Sequence, residues 1–482
     1  MSHSAPLTRV AILGGGVAGW MTACALVRAL PAGCEIRVIE TTDSAPRGAL
    51  STLPALRSFH GLLGLEEPAL MRAAHGTFKL GSRFSGWTAG DHIEGFSDVG
   101  VGLEGVAFHH HWLRLRAGHD VGPFEDYSLA AVAARLGRFA LPSEDARSVL
   151  STLSYGLHLD ATAYVAALRA AGADVKRGPG EVASVSLLAD GAIAALALAD
   201  GERVEADLFV DTTADGRLIG EALGVAWRDA GAGLPCDRLA TREIAPRSNP
   251  PPLTEVEAIA EGWLRRVPLR DRDAVALAYR ADLTSDAEAL EILGGEGHVE
   301  PLRHGRREQA WRGNCVAIGP AAGQVEPLNG ADAHLIQSGV SRLLGLLPGR
   351  QGDPPAAAEY NRLMAEEMDR ALDMAVMRYA LSDRDDPLWT LARRAAPSEP
   401  LAYKLAQFES RGRVVLYDEE TFMEGSWIEA LIGHGLVPRR HDRLADRLPV
   451  ARAGEALARL RALIRQTAQA LPSHADALKA HA

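Results

Sequence analysis

The feature that most limits this chain sits near its start. Gly14-Gly15-Gly16-Val17-Ala18-Gly19 spells G-x-G-x-x-G between an apolar strand, Val10–Leu13, and a helix running to about Leu30. Gly14 permits a tight turn, Gly16 lets the backbone approach a pyrophosphate, and Gly19 lets helix and strand pack closely. Val17 and Ala18 open the helix, whose unpaired N–H groups and partial positive charge face the phosphates. A second strand, Glu35–Glu40, ends in an acid 21 residues after Gly19, placed to accept ribose hydroxyls. That acid favours FAD or NAD over NADP. A late strand, Asn314–Ile318, runs into another glycine turn at Gly319. An NAD enzyme has no use for this element, whereas it suits the flavin end of FAD, so FAD is the predicted cofactor.

The rest of the chain extends the opening βαβ pattern. Strands are predicted at Val182–Leu187, Ala192–Leu198, Val204–Ala206 and the buried run Leu208–Asp211, with helices over Ala161–Ala171 and Asp332–Leu347. The fold class is α/β: a Rossmann-like FAD-binding module interleaved with a largely helical substrate module, in one composite domain. The FAD module is assigned to 1–60, 155–235 and 300–350. The substrate module and C-terminal helices take 61–154, 236–299 and 351–470. The proline-rich Pro246–Pro252 reads as a loop between lobes. Further helices are predicted over 356–381, 387–395, 400–410 and 451–470, and the last dozen residues are expected to fray.

Composition narrows the function classes. The net charge is −11 and no basic block exists, which excludes a nucleic-acid binder and argues against an anionic membrane surface. Cys24, Cys34, Cys236 and Cys315 lie far apart and read as reduced thiols. No signal peptide is apparent, and the longest apolar stretch, Val17–Leu30, is too short for a bilayer and contains Arg28. A cytoplasmic enzyme is expected. The triplet His109-His110-His111 is not read as a metal site, because adjacent side chains point to different sides. Only four of the 51 basic residues are Lys: Lys79, Lys176, Lys404 and Lys479. A chain that uses Arg wherever Arg serves makes each Lys a question.

Several motifs occur together in one order: Gly14–Trp20 (GGGVAGW), Thr77–Gly81 (TFKLG) with Phe84 and Trp87, His111–Arg114 and Leu157–Ala161. Leu234–Asp237, Gly262-Trp263 before Pro268, Asn314–Leu328 (NCVAIGPAAGQVEPL), Ser382–Asp386 and Gly433–Pro438 follow. Over about residues 8–450 the chain resembles the flavin-dependent tryptophan halogenase family, as a divergent member. The resemblance implies a separate NAD(P)H-dependent flavin reductase that supplies FADH2. It implies O2 and chloride or bromide as further reactants. A flavin hydroperoxide then gives hypohalous acid, which a tunnel leads to Lys79, and a small electron-rich arene attacks. A homodimer stays open. Gly14, Gly16, Val17, Ala18, Gly19, Glu40, Gly319 and Leu328 are the cofactor residues.

The resemblance also marks departures. The family's P-L-E-S-T reads Pro327-Leu328-Asn329-Gly330-Ala331, so an amide replaces a carboxylate that can accept a proton. Gly330 and Ala331 still offer backbone amides to a halide. Asp332 either caps the helix beginning there or acts as a substitute base; with Lys79 and Asn329 it completes the catalytic candidates. In the W-x-W-x-I-P element, Trp263 and Pro268 stand but the second Trp is Arg265. In the flavin strap, Thr52 and Pro54 match while Leu50 replaces a Glu. The substrate and tunnel candidates are Trp263, Arg265, Pro268, Trp112 and Trp427. The segment around Tyr417 and Trp427 is shortened, which points to an indole-like arene rather than free tryptophan. The alternative is a monooxygenase or oxidase of the same fold that no longer halogenates.

Overall fold

The computed structural model describes residues 5–42, 46–350 and 352–481. Two compact units emerge. The first comprises Met1–Gly76, Leu159–Ala230 and Arg303–Leu372. Its centre is a six-stranded sheet. Arg9–Leu13 lies between Glu35–Glu40 and Leu208–Asp211, parallel to both. Lys176–Pro179 continues the parallel order on one side and Cys315–Ala317 on the other. Leu208–Asp211 is buried at all four positions, as the apolar run of a central parallel strand requires. Helix Val17–Ala29 packs against this sheet with every residue from Ala18 to Leu26 buried. Asp160 caps helix Ala161–Ala171, its carboxylate accepting from the Ala163 amide at 2.6 Å. Val182–Leu187, Ile193–Leu198 and Arg203–Val204 form a small antiparallel sheet close to the predicted bounds.

The second unit comprises Thr77–His158, Gly231–Leu302 and Asp373–Ala482. Its core is a seven-stranded sheet that sequence patterning does not single out. The strand order is His298–Pro301, Arg238–Ile244, Asp273–Tyr279, Gly262–Pro268, Leu253–Ala258, Gly81–Ser85 and His92–Gly95. All neighbours are antiparallel except Leu253–Ala258 against Gly81–Ser85. Strands such as Gly262–Pro268 are buried at both ends and half-buried in the middle, so the alternation that normally signals a strand is missing.

Two expectations are corrected. Pro246–Pro252 is no lobe boundary; it joins two strands of this one sheet, where prolines without N–H groups interrupt the ladder. The chain end does not fray either. His474–Ala480 is a helix, with Ser473 Oγ accepting from the Asp476 amide at 3.1 Å and with His474 and Leu478 buried. Its short apolar pattern was too brief to read as an element.

The predicted C-terminal helices appear as Pro354–Ala380, Pro387–Arg394, Glu399–Arg411 and Val450–Ala470. Among the described residues, no helix is long and apolar enough to cross a membrane.

Candidate functional site

The glycine turn has the geometry a dinucleotide needs. Gly14 sits at φ +115°, and a Cβ there would lie 2.4 Å from the Thr212 hydroxyl oxygen. At Gly19 a Cβ would lie 2.0 Å from the Gly14 carbonyl oxygen, so strand and helix meet in direct backbone contact. Thr212 donates to the Leu13 carbonyl at 2.8 Å and fixes the turn from the neighbouring strand. Gly16 is the helix N-cap with no side-chain cap, so Val17 and Ala18 enter the helix with their amides unclaimed by a capping side chain. Glu40 ends its strand as predicted. Its Oε1 accepts from Trp20 Nε1 at 3.1 Å and pairs with Arg169 at 2.7 Å, which orients the carboxylate. Gly319 opens a short turn after Ile318, and Leu328 is buried. These residues fit FAD: a turn without side chains, a helix start and an aimed acid.

Lys79 lies on the strand Thr77–Lys79, antiparallel to Gly156–His158. It has no exposed surface, and its ammonium sits 5.0 Å from the centre of the Phe96 ring. The strand is held by a buried polar chain. Thr77 Oγ1 donates to the Pro268 carbonyl at 2.7 Å, so it accepts from His158 Nδ1 at 2.9 Å. His158 Nε2 then accepts from Thr254 Oγ1 at 2.9 Å. Burial pushes His158 far below the ordinary histidine range, and the charges of Lys79, Arg265 and Arg247 push the same way. The imidazole is therefore neutral and fixed in one tautomer. Pro268, a substrate-side candidate, acts here through its carbonyl.

Asn329 is buried, and Gly330 at φ +99° is the N-cap of helix Ala331–Gly345. A Cβ at Gly330 would meet the Ser51 carbonyl oxygen at 2.3 Å, so only glycine fits against the strap. Asp332 does not cap the helix; no side chain does. It sits in the first turn, where the helix dipole favours a carboxylate, with Oδ1 buried and without a hydrogen-bond partner. Trp263 is fully buried and donates from Nε1 to the Tyr379 hydroxyl at 2.9 Å. Trp427 donates to Glu420 at 3.0 Å and carries the Lys404 ammonium 3.7 Å from its ring centre. Trp112 alone among the substrate candidates lines a cleft of about 850 Å³, with Arg83, Asp91, Phe124 and Glu429.

The histidine triplet diverges. His109 meets the Gly412 carbonyl, His111 meets the Leu103 carbonyl, and His110 accepts from the Asp442 amide. A tighter cluster, His92, Glu94 and His434, holds its ligand atoms within 4.8 Å of one another. Both Glu94 oxygens bind the buried Arg378 guanidinium. Burial pushes Glu94 up, but Arg378 outweighs it and holds the carboxyl far below its usual range. The Glu94 carboxylate is thus already paired with a cation of the chain's own.

The tryptophan halogenase family model matches residues 9–450. The chain belongs to this family. It is 39% identical to BrvH, a flavin-dependent halogenase from Brevundimonas sp. BAL3, covering 98% of this chain and 99% of that one at a TM-score of 0.93. It is 34% identical to Xcc4156, a flavin-dependent halogenase from Xanthomonas campestris, covering 99% and 98% at a TM-score of 0.93. Tryptophan 6-halogenase SttH from Streptomyces toxytricini is 28% identical, with 90% of each chain covered.

This tryptophan halogenase family enzyme carries functional features that sequence reading missed. Thr212 and Thr254 show no motif, and His158 sits in the Leu157–Ala161 motif without a role read from it; only the fold brings them to the turn and to the lysine strand. His474 lies beyond the family match and meets the Lys79 strand directly. Arg265, by contrast, is close enough for its charge to act on His158, so its departure from the family pattern has an electrostatic counterpart.

Proposed function

We propose that this enzyme halogenates an electron-rich, indole-like arene, with a separate NAD(P)H-dependent reductase delivering FADH2. The carrying observation is Lys79, wholly buried on a pinned strand in a chain with only four lysines. Reduced FAD, when bound, supplies the oxygen activation that makes a halide electrophilic. Gly14, Gly16 and Gly19 with the Val17–Ala29 helix start hold its pyrophosphate, and Glu40 its ribose. Gly330 and Ala331 present backbone amides to chloride or bromide. Lys79 holds the electrophilic halogen toward the arene, a task Arg cannot share because it does not deprotonate. Asn329 accepts no proton, so the arene must be reactive enough to lose its own without that base.

A second reading, oxygenation without halogenation, is favoured by one observation. Arg265 replaces an aromatic and adds charge near His158. Mass spectrometry decides between the two. Reactions contain the enzyme, a flavin reductase, NADH, FAD, oxygen and an indole panel, with chloride, bromide or no halide. A halogenated product that disappears in Lys79→Ala supports halogenation. Hydroxylated product independent of halide supports the second reading.

A further inference from the structure

The strand bearing Lys79 has a gap at its outer edge, and the chain's last helix fills it. Leu80 donates from its backbone amide to the Pro252 carbonyl at 2.8 Å, as in a regular ladder. Two residues earlier the ladder should place Phe78 against Pro250. Instead an imidazole stands between them. The Phe78 amide donates to His474 Nε2 at 3.2 Å, and His474 Nδ1 donates to the Pro250 carbonyl at 2.7 Å. Both bonds require one neutral tautomer, with the proton on Nδ1.

His474 is itself locked. Its amide donates to the Gly137 carbonyl at 2.8 Å, and the Phe139 amide donates to the Pro472 carbonyl at 3.2 Å. The Phe78 ring stacks on Phe139 with centroids 3.9 Å apart, and His481 meets it edge-on at 5.3 Å. Phe78 and His474 have no exposed surface. The family match ends at residue 450, so His474 lies beyond it while Phe78 and Pro250 lie within it.

We infer that His474 is a positioning residue for the reaction: it fixes the backbone beside Lys79 and so sets where the lysine amine is held. The inference rests on the reading of Lys79 as the halogen-bearing group. A reacting group displaced by about 1 Å loses on the order of 100-fold in rate, whereas substrate binding elsewhere is untouched. Two variants separate hydrogen bonding from packing. His474→Phe keeps the volume and removes the acceptor; His474→Gln keeps an acceptor and a donor.

The test measures indole bromination with a flavin reductase, FAD binding by fluorescence, and deuterium exchange of the Phe78 amide. His474→Phe is expected to lower kcat by roughly 10-fold or more. KM for indole and FAD affinity stay unchanged, and Phe78 exchange speeds up. His474→Gln restores most of the rate. Unchanged kcat and exchange in His474→Phe overturn the inference, as does a parallel loss of FAD binding. If Lys79→Ala keeps full activity, the inference falls with the parent reading. That case is recognised because Phe78 exchange still responds to His474→Phe.

Discussion

Lysine placement repays attention residue by residue in so arginine-rich a chain. Lys176 and Lys479 are exposed and pair with Glu35 and Asp476. Lys79 and Lys404 are both buried. Lys404 pairs with the buried Glu420 and lies on Trp427, which gives it a structural role. Lys404→Met should cost about 3–5 kcal/mol in urea unfolding, because Glu420 is left buried and uncompensated. Lys79→Arg keeps charge and should abolish halogenation while leaving FAD affinity intact, read by product formation and flavin fluorescence. Gly330 makes a different point. Restoring the family's residue in Gly330→Ser puts a side chain against Ser51 at positive φ. That should destabilise the enzyme by about 1–3 kcal/mol, seen as a lowered unfolding midpoint.

At the level of elements, the glycine turn depends on a neighbour that the sequence does not mark. Thr212 follows the strand Leu208–Asp211 and reaches across to Leu13. Thr212→Val keeps the shape and removes the hydroxyl. It should cost about 1–2 kcal/mol of stability and weaken FAD binding, measured by fluorescence titration. The first unit's strands and helices were legible because the Rossmann-type order imposes strong periodicity and buried runs. The second unit's sheet was not, since its strands are half-buried and break the period-2 signal. The terminal helix was illegible for another reason: seven residues give too few turns for a periodic pattern.

Across the whole molecule, buried neutral histidines make stability depend on pH. Burial pushes His60, His109 and His474 down to about 4 each and His158 further. In the unfolded chain these groups titrate near 6.5. Their folded pKa is depressed, so the unfolded state binds more protons once pH falls below about 6.5. Stability is complete above that value and is lost progressively toward pH 4. Urea midpoints should fall steadily over this window, with proton uptake on unfolding. Replacing His474 by Gln should remove part of the slope.

What the sequence determined by itself was local and periodic. The G-x-G-x-x-G turn, the acid of Glu40 and the parallel strands follow from spacing and side-chain type within short segments, while Lys79 stood out through the family resemblance and the scarcity of lysine. Tertiary structure decided which distant groups meet them. Thr212 reaches the turn, His158 and Thr254 reach the Lys79 strand, and His474 crosses nearly 400 residues of chain to stand between Phe78 and Pro250. The reason is physical: a buried amide must find an acceptor, but any residue the fold brings within 3 Å can supply it. No spacing in the sequence encodes that choice.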